Sequence, residues 1–309
     1  MLVFVAVMMP VAAHATPTEL TPCISPVRGG ETLDKVLTNP KRFDCSSSQS
    51  HLSPGDYWVR MVVPASAHSS EQGLVFRTAS LWDEGFSITA VHASGQREFY
   101  RPDFNQDIGP MRLGATVVVP LLYRKSPIVT LIAKVERSAI VRGVMLTPQL
   151  AVAEDAIRFE MGMAALYAGF VGICIALLFY NIALWRAMRE HFLLAYCFMV
   201  TAMLGYGIFT SGAPHYFVAS MSGADRLRIT IPLLAIAAAS ALIFIRHFFQ
   251  TANIPVWLVR ATYIQAAAMS AFGLFYAGVA PRYIDIIDAI YVRRFIPVPF
   301  FFCAYLYVA

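Results

Sequence analysis

Residues Met161 to Trp185 read MGMAALYAGFVGICIALLFYNIALW, a run with no charged side chain, bracketed by Glu160 and Arg186. A helix rises about 1.5 Å per residue, so roughly 20 apolar residues cross the hydrocarbon core of a bilayer. A soluble core helix of that length would carry a polar stripe, whereas this one is apolar nearly all round. It divides the chain: the part before it reads as a water-soluble domain, the part after it as further membrane.

Composition agrees. The chain has 309 residues, 58% hydrophobic and 14% charged, against about 25% charged in ordinary soluble domains. Most charges precede residue 160 and most long apolar runs follow it, so two regions face different solvents. The net charge of +5 is spread thinly, without a run of basic residues. Nucleic acid is therefore not expected as a partner, because phosphate binding needs a clustered basic face; the lipid bilayer is. Cys174, Cys197 and Cys303 lie in apolar runs and read as small hydrophobes between helices. Cys23 and Cys45 lie in the soluble part, where they either stay free thiols or, on export, close a disulfide loop of about 20 residues.

Residues 1–15, MLVFVAVMMPVAAHA, combine a short apolar core with Ala13-His14-Ala15, the pattern of a signal peptide cleaved after Ala15, although no Lys or Arg precedes the core. From 16 to 156 the pattern changes to short alternating segments. Asp56–Val63 places Trp58, Arg60 and Val62 on one face and Tyr57, Val59, Met61 and Val63 on the other. Similar runs occur at Gly73–Arg77, Phe86–His92, Glu98–Arg101, Ala115–Leu122, Ile128–Val135 and Ile140–Leu146, and Ala93-Ser94-Gly95-Gln96 predicts a hairpin turn. Strands at this spacing, without an amphipathic helix, predict an antiparallel β-sandwich. Residues 16–50 are rich in Pro, Gly and Ser and are expected to be irregular, and Leu150–Phe159 reads as a helical lead into the membrane.

Within 157–309 the expected spans are about 161–185, 192–210, 229–249, 257–280 and an incomplete one at 295–309, with Ser211–Arg228 as a loop. The last run stops inside apolar sequence, which suggests that a fifth crossing is cut short. Were the sandwich outside, the inner loops would carry Arg186, Arg189, Arg246 and Arg260, and the outer ones Arg226, Arg228, Arg282, Arg293 and Arg294. The positive-inside rule is silent on so even a split. The export signal instead places the sandwich across the membrane from the cytosol.

Small residues recur at four-residue spacing in the first span, at Ala168, Gly172 and Ala176, flanked by Ala165 and Gly169. Such faces let helices approach closely, within the bundle or across a homodimer. Asn181 and Gln265 are expected to seek hydrogen bonds between helices. No span has a charged residue near its centre, and paired Gly/Pro-broken helices are absent, which disfavours ion-coupled transport. In the sandwich, Glu98, Phe99, Tyr100, Asp103 and Phe104, with Asp107 beyond, form an acidic and aromatic stretch. Rings that stack on carbohydrate CH groups beside carboxylates that accept hydroxyls make it the candidate ligand site, against the plainer reading of a loop packed on the sandwich edge. His68 and His92 show no metal-ligand spacing. Without G-x-S-x-G, G-x-x-x-x-G-K-[ST] or H-E-x-x-H, no catalytic residue, metal or cofactor is expected.

Trp58 and Arg60, Leu166-Tyr167-x-Gly169, Leu178-Phe179-Tyr180-Asn181, Tyr196, Gly212 and Phe244-Ile245-Arg246-His247-Phe248 follow one another in an order that resembles the bacterial seven-transmembrane receptors with diverse intracellular signalling modules. The resemblance covers about residues 50–300. It implies a jelly-roll-like, carbohydrate-binding type of all-β sensing sandwich in the periplasm, followed by an all-α transmembrane helix bundle in the inner membrane. It also implies a cytoplasmic output such as a diguanylate cyclase or histidine kinase. This sequence departs from the pattern in having Pro64 where Asn often follows the Trp-x-Arg strand, and in lacking the last spans and any output module. The expectation is a sensor of a small-molecule, carbohydrate-type ligand. A transporter and an envelope scaffold that binds a protein partner are the alternatives.

Overall fold

The computed structural model describes residues 17–49, 52–65, 73–79, 83, 85–101, 111–122, 126–138, 143–218, 221, 223–249, 254–279, 293 and 297–308. The signal peptide expected at 1–15 and the candidates His68, Asp103, Phe104 and Asp107 lie outside the described residues.

Among the described residues, ten strands form the N-terminal part: β1 Thr18–Glu19, β2 Cys23–Pro26, β3 Gly55–Val62, β4 Leu74–Ala79, β5 Gly85–His92, β6 Arg97–Tyr100, β7 Met111–Arg112, β8 Thr116–Pro120, β9 Ile128–Ser138 and β10 Leu146–Val152. They build two antiparallel five-stranded sheets, ordered β1-β10-β4-β8-β7 and β2-β3-β9-β5-β6. The alternation expected for β3 is what the register uses. Tyr57, Val59 and Met61 lie opposite Val135, Ala133 and Leu131 of β9, which in turn face Phe86, Ile88 and Ala90 of β5. All these side chains enter one buried core with Phe76, Val117, Val119 and Leu150. Each large side chain removed from water there contributes about 1.5–3 kcal/mol.

Residues 17–49, the described part of the stretch expected to be irregular, are more ordered than expected. They supply β1, β2, the short helix α1 Leu33–Leu37 and a 3-10 turn at Pro40–Arg42. This strap lies over the outer face of the second sheet, where Val36 and Phe43 pack on Trp58 and Ile132. Its return is bound by the Cys23–Cys45 disulfide, by the Ile24–Asp44 bridge, and by Arg42, which donates to Ser25 Oγ (2.8 Å) and Glu31 Oε2 (2.9 Å). Pro and Ser did not prevent order, because the disulfide and a buried tryptophan hold the segment to the sheet.

Leu150–Val152 are strand, not the start of a helix. Leu150, Ala151 and Val152 pair with Phe76, Val75 and Leu74 on one side, and Leu150 pairs with Thr18 on the other. Ladder bonds on both sides outweigh local helical preference. Helix α2 (Ala153–Met188) begins at the next residue, so strand and helix are spliced without a linker.

The helices that follow are α3 (His191–Thr210), α4 (Gly223–Phe248), α5 (Val256–Val279) and α6 (Pro297–Val308), with a 3-10 turn at Ala213–Tyr216. Four of them, α2 to α5, are long and apolar enough to cross a membrane. The 36 residues of α2 reach about 54 Å at 1.5 Å per residue, far enough to extend beyond the hydrocarbon layer toward the sandwich. Because α4 starts at Gly223, Arg226 and Arg228 belong to its first turns and not to a loop.

Close helix packing occurs away from the stripe expected in α2. Ala168, Gly172 and Ala176 are exposed, and nothing stands within 4 Å of a Cβ built on Gly169 or Gly172. The tight crossing joins α4 and α5, where a Cβ on Gly273 would fall 2.5 Å from that of Ala235. The α2–α3 contact is made by Phe170, whose ring covers Gly207 and would leave a Cβ there only 2.7 Å away. Asn181 turns its buried amide back along its own helix and donates to Leu177 O at 2.8 Å, not across to a neighbour.

Candidate functional site

The sandwich meets the helices at the C-terminal end of α3, and the reason is local. The last carbonyls of a helix have no intrahelical donor. In α3 two of them are those of Phe209 and Ser211, and donors reach them from elsewhere in the fold. The turn between β7 and β8 places Gly114 (φ +87°) and Ala115 (φ +60°) in left-handed backbone. Their two successive N–H groups therefore point the same way, and both donate to Ser211 O, at 2.9 and 3.1 Å. Gly212 fits beneath this turn at φ +82°, where a Cβ would lie 2.8 Å from Arg112 O. The sandwich thus caps a membrane helix with its own backbone.

Arg226, in the first turns of α4, supplies the second cap. Its side chain is 0% exposed. Nη2 donates to Phe209 O at 3.2 Å, and Nη1 reaches Met111 Sδ of β7 at 2.8 Å and His215 Nε2 at 3.3 Å. A guanidinium near a helix C-terminus is favoured by the helix dipole. Among the described residues, however, no carboxylate pairs with Arg226, and its Nε has no hydrogen-bond partner. A buried charge held only by neutral acceptors is costly for stability and points to function. His215, on the 3-10 turn, takes the matching state. Burial, and secondarily the charge of Arg226, push its imidazole down to about 4, so at neutral pH it is uncharged and Nε2 can accept.

Two further contacts surround this clasp. Glu160 of α2 accepts from Tyr216 Oη at 3.0 Å and lies 3.9 Å from Arg112 Nε of β7, so one carboxylate joins α2, the sandwich hairpin and the 3-10 turn. At the splice, Ala153 N donates to Gly73 O at 3.0 Å, and Arg77 of β4 stacks on Phe159 of α2 at 4.0 Å. The edge strand β7 and the central strand β4 of one sheet thus both contact the helices.

The acidic and aromatic candidates divide between two faces of the edge strand β6. Glu98 and Tyr100 turn inward: Tyr100 Oη donates to Glu98 Oε2 at 2.6 Å and accepts from Leu122 N at 2.8 Å, and the buried His92 ring lies 3.6 Å from Glu98. They form an internal network, so Glu98 and Tyr100 do not share a surface with Phe99. Phe99 points out, 65% exposed. On its face of the sheet run Arg101, Glu136 and Lys134, linked as a charged chain with Glu136 accepting from both. Arg226, His215 and Met111 were not singled out from the sequence. The available signal was an arginine at the start of an apolar run, flanked by Asp225 and Arg228, which reads as an ordinary loop charge until the helix boundary is known.

Among the described residues, no group of three or more His, Cys, Asp or Glu could hold a metal ion. Residues 163–309 match the family model for 7TM diverse intracellular signalling. No curated protein matches the chain.

Proposed function

We propose, from the premise that the helical block belongs to the seven-transmembrane family of diverse intracellular signalling, that this multi-pass membrane receptor senses a ligand with its sandwich and transmits occupancy through the Arg226 clasp. The observation that carries the transmission reading is the capping of α3 by donors from both the sandwich hairpin and α4. Such a junction has two alternatives, formed or broken, and a ligand shifts their balance only through its different affinity for the two.

The sandwich faces the periplasm of a bacterial cell, with the helices in the inner membrane. The Cys23–Cys45 disulfide supports this, because such bonds persist in oxidising compartments. The ligand is of carbohydrate type and binds the outer face of the second sheet at its β6 edge, beside the strap. There the exposed Phe99 ring offers a stacking surface, and Arg101, Lys134 and Glu136 offer hydroxyl partners. The protein's own part is binding and transmission without catalysis, and a cytoplasmic output module completes the pathway.

The test uses the full chain in lipid nanodiscs with a panel of mono- and oligosaccharides. Binding should be lost in Phe99→Ala and should alter amide exchange at 111–116 and 211–216. Binding that leaves both segments unchanged would remove the clasp from the mechanism. Solute flux through the reconstituted protein would favour a transporter, and capture of an envelope protein with no sugar response would favour a scaffold.

A further inference from the structure

A second feature lies at the opposite end of the helices. His191 opens α3 and His247 nearly closes α4, while the far ends of the same two helices hold Ser211 and Arg226. Between them a groove of about 520 Å³ is lined by His191, Leu194, Ala195, Phe198, Ser240, Ile243 and His247, a size within the usual range of ligand sites. Its two ring nitrogen-bearing side chains lie at one end, and Ser240 is the one other polar residue of the lining. The two imidazoles lie with ring centroids 6.3 Å apart, tilted by 46°, whereas Leu194, Phe198 and Ile243 continue along the helices, with Phe198 66% exposed.

Charge at this end is mostly positive. Arg186, Arg189 and Arg246 stand against Glu190 within 186–191 and 244–249. Arg246 Nε is buried without a hydrogen-bond partner among the described residues. A metal ion is a poor occupant, since no third ligand joins the histidines among the described residues and protein-held zinc takes three or four. An amphiphile suits both halves of the groove. Imidazole N–H groups donate to phosphate oxygens, and basic surroundings between helices at a membrane surface select anionic head groups.

We infer that the α3–α4 groove is a binding site for an anionic phospholipid, with its phosphate between His191 and His247 and an acyl chain along Leu194, Phe198 and Ile243. The site is separate from the sandwich ligand face. Because α3 and α4 also carry the clasp, its occupancy sets how these two helices lie against each other.

The test is titration of dioleoylphosphatidylglycerol into the full chain in a neutral maltoside micelle, followed by native mass spectrometry and thermal shift. Dioleoylphosphatidylcholine and inorganic phosphate are run in parallel. Phosphatidylglycerol is expected to bind at least tenfold tighter than phosphatidylcholine. His191→Ala with His247→Ala should remove that preference, and Phe198→Ala should weaken both lipids alike. If the double alanine variant does not fold, His191→Phe with His247→Phe, which keeps the ring volume without an N–H donor, should lose the preference, and His191→Lys with His247→Lys should keep it. Equal affinity for the two lipids, a preference that survives loss of both histidines, or inorganic phosphate binding as tightly as the lipid would each overturn the inference.

Discussion

Replacing Arg226 by methionine separates what the clasp does for stability from what it does for coupling. The side chain makes three hydrogen bonds, to Met111 Sδ, His215 Nε2 and Phe209 O, and bonds from a charged donor contribute about 1.5–3 kcal/mol each. Against them stand the several kcal/mol needed to desolvate a guanidinium and about 1–3 kcal/mol for the stranded Nε. These terms nearly cancel, so Arg226→Met, which keeps the volume apolar, should fall within about 2 kcal/mol of the parent. Arg226→Ala also leaves a cavity of roughly 100 Å³, and at about 24 cal/mol per Å³ it should be lower again by about 2–3 kcal/mol. The assay is denaturant or thermal unfolding of the full chain in detergent, with sandwich and helices followed separately by amide exchange. In Arg226→Met, protection at 111–116 and 211–216 should drop, and the two regions should unfold in two transitions instead of one. Unchanged protection of the hairpin, or a loss of more than about 4 kcal/mol in the methionine variant, would refute the account of Arg226 as a coupling group of little net stability.

Other consequences can be checked with the same preparation. Gly212→Ala should cost about 2–4 kcal/mol, since it adds left-handed strain to a 2.8 Å clash with Arg112 O; Gly95→Ala, at φ +84° with open space around it, should cost only about 1 kcal/mol. Gly273→Val should lower the melting temperature of the helical block by wedging α4 from α5, while Gly172→Val should leave it unchanged. Equal melting of the two would contradict the crossing described. Reduction of Cys23–Cys45, which closes a separation of 22 residues, should cost about 3 kcal/mol on the chain-entropy account; alkylation of both thiols in unreduced protein from cells would rule the bond out. His215 is held near 4 when folded, below its ordinary 6.5, so between those values the unfolded chain binds the extra proton. Stability should therefore fall as pH drops from about 6.5 to 4, and His215→Gln should flatten that slope across the same window.

How much of this was legible beforehand depends on the range of the interaction involved. The β3 alternation and the apolar run at 161–185 are local patterns, and each lies where its period places it. Leu150–Val152 read as helix because their partners, Thr18 and Leu74–Phe76, are far away in sequence. The small-residue stripe of α2 has the same spacing that packs helices elsewhere, but spacing does not say which helix stands opposite. Gly273 found a neighbour and Gly172 did not. The grouping of Glu98, Phe99 and Tyr100 as one ligand surface failed for a simpler reason. Adjacent residues in a strand face opposite sides, so Phe99 could not share a surface with the pair beside it.

From composition and periodicity alone came the division into a β-sandwich and a set of membrane-length helices, because solvent selects side chains one residue at a time and leaves a periodic record. The coupling of the two halves was decided only in three dimensions. Which backbone N–H groups cap α3, why an arginine is buried against a thioether, and which glycines are indispensable follow from atoms brought together by the fold. Met111 and Arg226 stand 115 positions apart, and no local pattern of hydrophobicity or charge encodes a contact between groups that distant.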